Sequence, residues 1–249
     1  FILVGLPGFF IAVLTALIKE PRRIIASNIN GDEGDPVPLD EVKRFFMQHI
    51  DFHFPHHAAA SFSNLALVGI NSWVSVYFIR IHGWSLSEAG LNIGMSLILG
   101  GLMGLVVGGF LSDRMSTLFA GGKAIFCLIC ALMAVPFSIL FALTDNAFYA
   151  LVFFALSYGF MVAPIPSAAA ILQEVTPNRM RGTLSAFYLL VISIIGLALG
   201  ATIVALINDN FFDGDSGIRE SLLIAIPAFN LVATFFYFML IKPYRDRCS

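Results

Sequence analysis

Charge is scarce in this chain. Lys, Arg, Asp and Glu together make up 12% of its 249 residues, about half the share of an ordinary soluble domain. So few charges cannot cover a water-exposed surface, and the 58% hydrophobic content and mean hydropathy of +0.87 point to a different solvent. Cysteine is scarce as well, and three residues cannot build a disulfide framework. Cys127 and Cys130 form a CxxC, but inside an apolar run, where thiols pack as small hydrophobes. No redox or metal role is expected of them. No phosphate-binding loop, zinc spacing or nucleophile–base pair occurs. The expectation is therefore a chain that is not an enzyme, has no catalytic residue, cofactor or metal, and binds no nucleic acid. A basic leader and a small-residue cleavage site are also missing. The opening FILVGLPGFFIAVLTALI reads as a truncated span rather than a signal peptide, with a further N-terminal portion expected upstream.

Long apolar runs are abundant instead. Seven stand out, at 1–18, 59–79, 88–111, 122–143, 147–172, 183–207 and 219–241, each near the ~20 residues that cross a bilayer as a helix. The fold class expected is an all-α, polytopic membrane protein. The basic residues are sorted between the connections. Lys19, Arg22, Arg23, Lys43, Arg44, Arg114, Lys123, Arg179, Arg181, Lys242, Arg245 and Arg247 fall on one side, and only Arg80 and Arg219 on the other. The positive-inside rule puts the first set, and the C-terminal tail 242–249, in the cytoplasm. The opposite side is acidic, with Asp145, Asp209, Asp213, Asp215 and Glu220. There, SLSE at 85–88 reads as a capping box that starts the third span.

The connection 19–58 divides in two. Residues 26–38 are polar and turn-rich, as in a linker. LDEVKRFFMQHIDF then places Val42, Phe45, Phe46, His49 and Ile50 on one helical face, which predicts a helix lying along the membrane surface. His49, His53, His56 and His57 cluster here. The spacing favours an interfacial cluster over a metal site.

Within the spans, Ser61, Asn64, Asn71, Ser72 and Ser75 fall in an arc of roughly 100°. Trp73, Tyr77 and Arg80 point the other way. Asparagine facing lipid is costly, so the stripe predicts either a water-filled cavity or interhelical hydrogen bonds. Asn64, Asn71, Ser75 and Tyr158 are the candidate cavity lining. Arg80, at the outer end, either attracts an anionic head group or snorkels to the interface. Pro164 and Pro166 predict a bend in the fifth span. Glycines four apart (90 and 94; 100, 104 and 108; 196 and 200) predict close helix contacts, static or sliding. No Asp, Glu, Lys or Arg lies near the centre of a span, so any titrating carboxylate of an ion-coupled mechanism is expected upstream of this chain.

Two strings near the cytoplasmic ends carry a resemblance. GGFLSDRM resembles the Gly-x-x-x-Asp-Arg motif of the major facilitator superfamily, read from Gly109 through Asp113 to Arg114. QEVTPNRMRG at 173–182 resembles that superfamily's Glu…Pro…Arg-Gly turn. Within it the chain is most similar to the spinster-like branch, through KEPRR, WVSVYFIRIHGWSLSEAG, TPNRMRGTLSAFYLLVISIIGLALGAT and IKPYR. Relatives often carry Gly-Pro where this chain has Gly200-Ala201, so a proline hinge is not expected there.

The resemblance implies four parts: 1–18 as the last helix of a truncated N-terminal bundle, 19–58 as a cytoplasmic linker with an interfacial helix, 59–241 as a six-helix transport bundle, and 242–249 as a cytoplasmic tail. It implies secondary transport of a lipid-like or amphipathic molecule (sphingoid, lysophospholipid or organic anion) by alternating access, often proton-linked, in a bacterial inner membrane. The implied partners are the substrate, membrane lipids and the N-terminal half of the same transporter. Gly109, Asp113, Arg114, Glu174 and Arg181 become a cytoplasmic latch. The alternative is a seven-helix receptor-like protein or a structural membrane subunit. A retinal protein would need a lysine inside 219–241, which has none, and Asp113-Arg114 is followed by Met115 rather than the receptor tyrosine.

Overall fold

The computed structural model describes residues 2–17, 37–212 and 217–248. Two expectations lie outside the described residues: the turn-rich linker with Lys19, Arg22 and Arg23, and the acidic stretch with Asp213 and Asp215. The chain divides into two units, Phe1–Pro36 and Val37–Ser249. In the first, α1 (Ile2–Ala16) is a wholly apolar helix but for Thr15, whose hydroxyl bonds back to the Ile11 carbonyl at 2.8 Å.

The second unit is a helical bundle. Its elements are α2 (Leu39–Gln48), α3 (Ile50–His82), α4 (Leu86–Leu118), α5 (Gly122–Leu143), α6 (Ala147–Val162), α7 (Pro164–Val175), a 3-10 turn (Asn178–Met180), α8 (Arg181–Phe211) and α9 (Gly217–Cys248). Taking α6 with α7, and the 3-10 turn with α8, six segments among the described residues are long and apolar enough to cross a membrane. The chain is an all-α, multi-pass integral membrane protein.

The boundaries follow local chemistry. Gly83 ends α3 in the left-handed region at φ 69°, where a side chain would be strained. Ser85 and Glu88 form the expected capping box of α4, with the Glu88 N–H donating to Ser85 Oγ at 3.3 Å and the Ser85 N–H to Glu88 Oε2 at 2.9 Å. Asn146 caps α6 by accepting from the N–H groups of Phe148 and Tyr149. The break between α6 and α7 at Ala163 is the bend expected from Pro164 and Pro166. Neither proline can donate to the carbonyl four residues back, so the helix restarts. The buried Cys127 thiol donates to the Pro164 carbonyl at 3.9 Å, and Cys130 is buried beside it, so the CxxC packs as expected.

Three elements differ from the sequence reading. The helix expected on the membrane surface, α2, buries Val42 against Met180 and Leu184, with Phe45 and Phe46 alongside. Its apolar face is thus partly taken by protein, with Leu39 and Met47 left exposed. The second span begins at Ile50, nine residues before the expected start, because Pro55 sits in its opening turns and does not break it. His53, His56 and His57 are therefore buried on α3 and not interfacial. The third span runs on to Leu118, seven residues past the expected end. Asp113 and Arg114 lie inside its final turns, where Ser116 and Thr117 hydroxyls bond back to their carbonyls at 2.7 and 2.8 Å.

α3 packs between α8 and α9, α9 against α5, and α5 and α4 against α6. Two seams hold helices at backbone distance. A methyl added at Gly100 would stand 2.5 Å from the Ala155 carbonyl oxygen, one at Gly104 would overlap that of Gly159, and one at Gly108 would sit 2.7 Å from Ala163 Cβ. These three glycines join α4 to α6. On the other seam, Gly69 of α3 meets Gly200 of α8, and Gly196 lies against the Asn64 side chain. Gly90 and Gly94 face open space, so their spacing serves no contact among the described residues.

Gly104→Ala is expected to lower the unfolding midpoint in detergent by the equivalent of about 1–3 kcal/mol, the usual cost of overpacking. Gly182→Ala, whose methyl meets nothing, should leave the midpoint level or slightly raised. Equal effects at both sites would show that the α4–α6 seam is not tight.

Candidate functional site

The ends of the bundle carry its charge. One end gathers the start of α3, the α4–α5 turn, the end of α7 and the end of α9. Gly121, at φ 81°, turns α4 sharply into α5. That places Lys123 on the first turn of α5, facing Glu174 on the last turn of α7. The Glu174 carboxylate accepts from Lys123 Nζ through one oxygen and from the buried Tyr244 hydroxyl of α9 through the other. One acid thus ties three helices. Beside it, Arg247 of α9 donates to both carboxylate oxygens of Asp51 at 2.7 and 2.9 Å, and its guanidinium stands 5.7 Å from the Phe52 ring centroid. Ser167 Oγ and Ser112 Oγ, both buried, join α7 to α4 at 2.7 Å. Arg181 closes its own turn, Nε donating to the Thr176 carbonyl at 3.1 Å.

The five expected latch residues therefore separate. Glu174 and Arg181 have partners, but neither contacts Asp113 or Arg114. Asp113 and Arg114 are exposed on α4, and among the described residues neither forms a side-chain ion pair. Gly109, one turn back, faces open space. The physical reason is the longer α4, which carries the Asp-Arg pair along an outer helix face instead of into the turn.

The polar stripe of α3 also divides. Asn64 is half-buried and donates to the Ile192 carbonyl of α8 at 2.7 Å, the interhelical alternative. Trp73 donates to the Ala201 carbonyl at 3.0 Å, so the side assigned away from the stripe also meets α8. Ser61 is buried, and Ser72 bonds back to the Val68 carbonyl. Asn71 is exposed and Ser75 half-buried. Tyr158 lies half-buried on α6 against Gly101 of α4. Arg80 is exposed at the opposite end, where Arg219 pairs with Asp145 at 2.9 Å.

In the sequence Lys123 stands out as one of the sorted basic residues, and nothing marks Tyr244 or the pairing of Asp51 with Arg247. Their partners lie 51, 70 and 196 residues away, a distance over which helix periodicity carries no information. A further feature absent from the sequence reading is an apolar groove of about 320 Å³ between α4, α5 and α6, lined by Gly100, Gly104, Gly108, Phe126, Cys130 and Ala163. Among the described residues, no group of His, Cys, Asp and Glu is arranged to hold a metal ion.

Comparison with known proteins agrees with this architecture. The sequence profile of the Major Facilitator Superfamily matches residues 1–201. An MFS-type efflux pump of Mycolicibacterium smegmatis is 27% identical over 191 residues, covering 76% of this chain and 44% of the pump. The chain thus spans less than half the length of that relative. Two crystal structures of a bacterial homologue of the human lysosomal transporter Spinster, both inward-facing, share the fold over 100% of this chain. The unoccupied form gives a TM-score of 0.73 at 23% identity and covers 60% of that protein. The occupied form gives 0.62 at 19% and covers 57%.

Glu174→Gln removes the charge that Lys123 faces and weakens the acceptor for Tyr244. With Glu174 40% and Lys123 16% exposed, solvent screening keeps the loss to about 1 kcal/mol. Asp113→Asn is expected to leave the melting midpoint of the chain unchanged. A loss at Asp113 as large as at Glu174 would contradict the placement of the two acids.

Proposed function

The chain belongs to the major facilitator superfamily, and on that premise we propose that it forms the C-terminal bundle of a spinster-like secondary transporter working by alternating access. The cargo we infer is a lipid-like or amphipathic small molecule, a sphingoid, lysophospholipid or organic anion, moved without covalent chemistry. The observation that carries the reading is the contrast between the end of α4 and the end of α7. Asp113 and Arg114 stand exposed without partners among the described residues, beside a fully tied network at Glu174. Exposed pairs contribute little to stability, so an acid–base pair kept on an outer face suits a contact that is made and broken.

The N-terminal half of the same transporter is the partner we assign to that face, with the basic end in the cytoplasm of a bacterial inner membrane. Asn71, Ser75 and Tyr158 would meet the polar part of the substrate. Arg80 would attract an anionic head group at the outer end. The groove between α4, α5 and α6, lined almost wholly by apolar atoms, is shaped for an alkyl chain. The efflux activity named for the mycobacterial relative favours export as the direction. Coupling to protons is part of the proposal, with the acidic partner supplied by the N-terminal half.

The experiment is flux through proteoliposomes containing the full-length protein, across a panel of lysophospholipids, sphingoid bases and organic anions. Asp113→Asn is expected to cut the rate by roughly tenfold or more, about 1.4 kcal/mol in barrier, at unchanged stability. Asn71→Ala should raise KM with little change in kcat, the mark of lost uniform binding. Wild-type flux in both variants would remove the assigned roles, and no flux for any member of the panel would remove the substrate class.

A further inference from the structure

We propose that His53, His56 and His57 form a proton-binding site at the start of α3, and that loading it releases the docking of α2 on that helix and on the start of α8. The three residues share one helix at spacings of three and four, so they crowd a single face. His53 and His56 are fully buried and His57 is 6% exposed.

Their hydrogen bonding is incomplete in a particular way. His56 Nε2 stands 2.8 Å from the Ala168 carbonyl, and His57 Nδ1 stands 2.8 Å from the His53 carbonyl. A carbonyl only accepts, so each of those nitrogens carries the ring's hydrogen, and the other nitrogen is a bare lone pair. Those bare nitrogens, His56 Nδ1 and His57 Nε2, are buried with no partner, as are both ring nitrogens of His53. Three basic lone pairs and one N–H are thus left unmatched in one place. Buried polar groups are normally paired, and a cluster that breaks the rule at four atoms within five residues calls for a ligand. A metal does not fit, because the groups are not arranged around one point. A proton suits lone pairs that lie side by side.

The walls decide what that proton does. From α2 come the Phe46 ring, stacked on His53 at 4.5 Å, and the Phe45 ring edge-on at 5.9 Å. The charged residues of that helix, Asp40, Glu41, Lys43 and Arg44, are all exposed. From α8 come Phe187, 5.7 Å from His57, and the neutral phenol Tyr188, 5.1 Å from His56. α7 offers the Ala168 carbonyl. Behind Tyr188 stand the Cys127 thiol of α5 and the Tyr237 phenol of α9, both buried. α3 itself offers Phe52, stacked on His56, and Asp51, which is committed to Arg247 of α9. His49 is occupied with the Phe45 carbonyl.

Among the described residues no uncommitted anion faces the cluster, so an added positive charge is best stabilised by reaching water. Proton uptake and separation of the walls are then one linked event, each favouring the other. The wall that yields is α2. Only Val42, Met180 and Leu184 are buried in its contact with the start of α8, a far smaller cluster than either of the two cores of the bundle. The release therefore occurs next to the turn 176–181, whatever the cargo is.

The test uses the full-length protein in nanodiscs, with ¹⁵N-labelled histidine followed by NMR from about pH 8 to about pH 5. In parallel, a Leu184→Cys variant is modified by a neutral thiol reagent, with each rate normalised to unfolded protein at the same pH. At least one ring of the cluster is expected to gain a second N–H over this range, and the Leu184→Cys rate to rise roughly tenfold or more. His53→Gln, which removes no hydrogen bond made in the structure, should abolish most of that rise while His56 and His57 are still present. Should the rings stay singly protonated to the bottom of the range, the site is not a proton site. Should they titrate while the Leu184→Cys rate stays flat, or should His53→Gln leave the rise intact, the coupling to α2 is wrong. None of these readouts requires flux, so failure of the transport reading is scored separately.

Discussion

A bilayer removes two things on which soluble folds rely: water to satisfy stray polar groups, and a hydrophobic reason for one helix to meet another. Here both are replaced by close backbone approach. Gly100, Gly104 and Gly108 bring α4 onto α6 where any side chain would collide with Ala155, Gly159 or Ala163. Contacts at that distance recover in dispersion what lipid does not provide. The same closeness lets polar side chains bond across helices. Asn64 reaches the Ile192 carbonyl, Trp73 the Ala201 carbonyl and Tyr77 those of Phe141 and Ala142. A polar group in a span is tolerated because a neighbouring carbonyl is near enough to accept it.

Charge has no such refuge, so it goes to the ends. At one end Glu174 binds Lys123 and Tyr244, and Asp51 binds Arg247, so that α3, α5, α7 and α9 are tied together. At the other, Arg219 meets Asp145. The broken helix α6–α7 connects these ends through a point where Pro164 and Pro166 cannot continue the ladder. Asp113 and Arg114 are exposed outside these ties, open to the contact proposed for them above.

Much of this was legible in the sequence. Apolar length found each span of the bundle though not its ends, Ser85 and Glu88 marked a true helix start, and the two prolines marked a true break. What was not legible follows from two physical limits. Where a helix stops depends on breakers, and none stands between Met115 and Gly121, so α4 outran its apolar stretch and took Asp113 and Arg114 with it. Which side chains meet depends on crossings that local periodicity does not encode. Asn64 and Asn71 lie one above the other on α3, yet only Asn64 meets α8. The histidines illustrate both limits, since a helix beginning at Ile50 instead of 59 turned a surface cluster into a buried one.

The central claim is that six spans alternate across a membrane, so that the α4–α5 and α7–α8 turns emerge together and the α5–α6 turn emerges opposite. Single cysteines at the exposed positions Ser116, Asn178 and Asn146, labelled with an impermeant thiol reagent in right-side-out and inverted vesicles, read this directly. Ser116→Cys and Asn178→Cys should react from the same side and Asn146→Cys from the other. Labelling of positions 116 and 178 from opposite sides would contradict it.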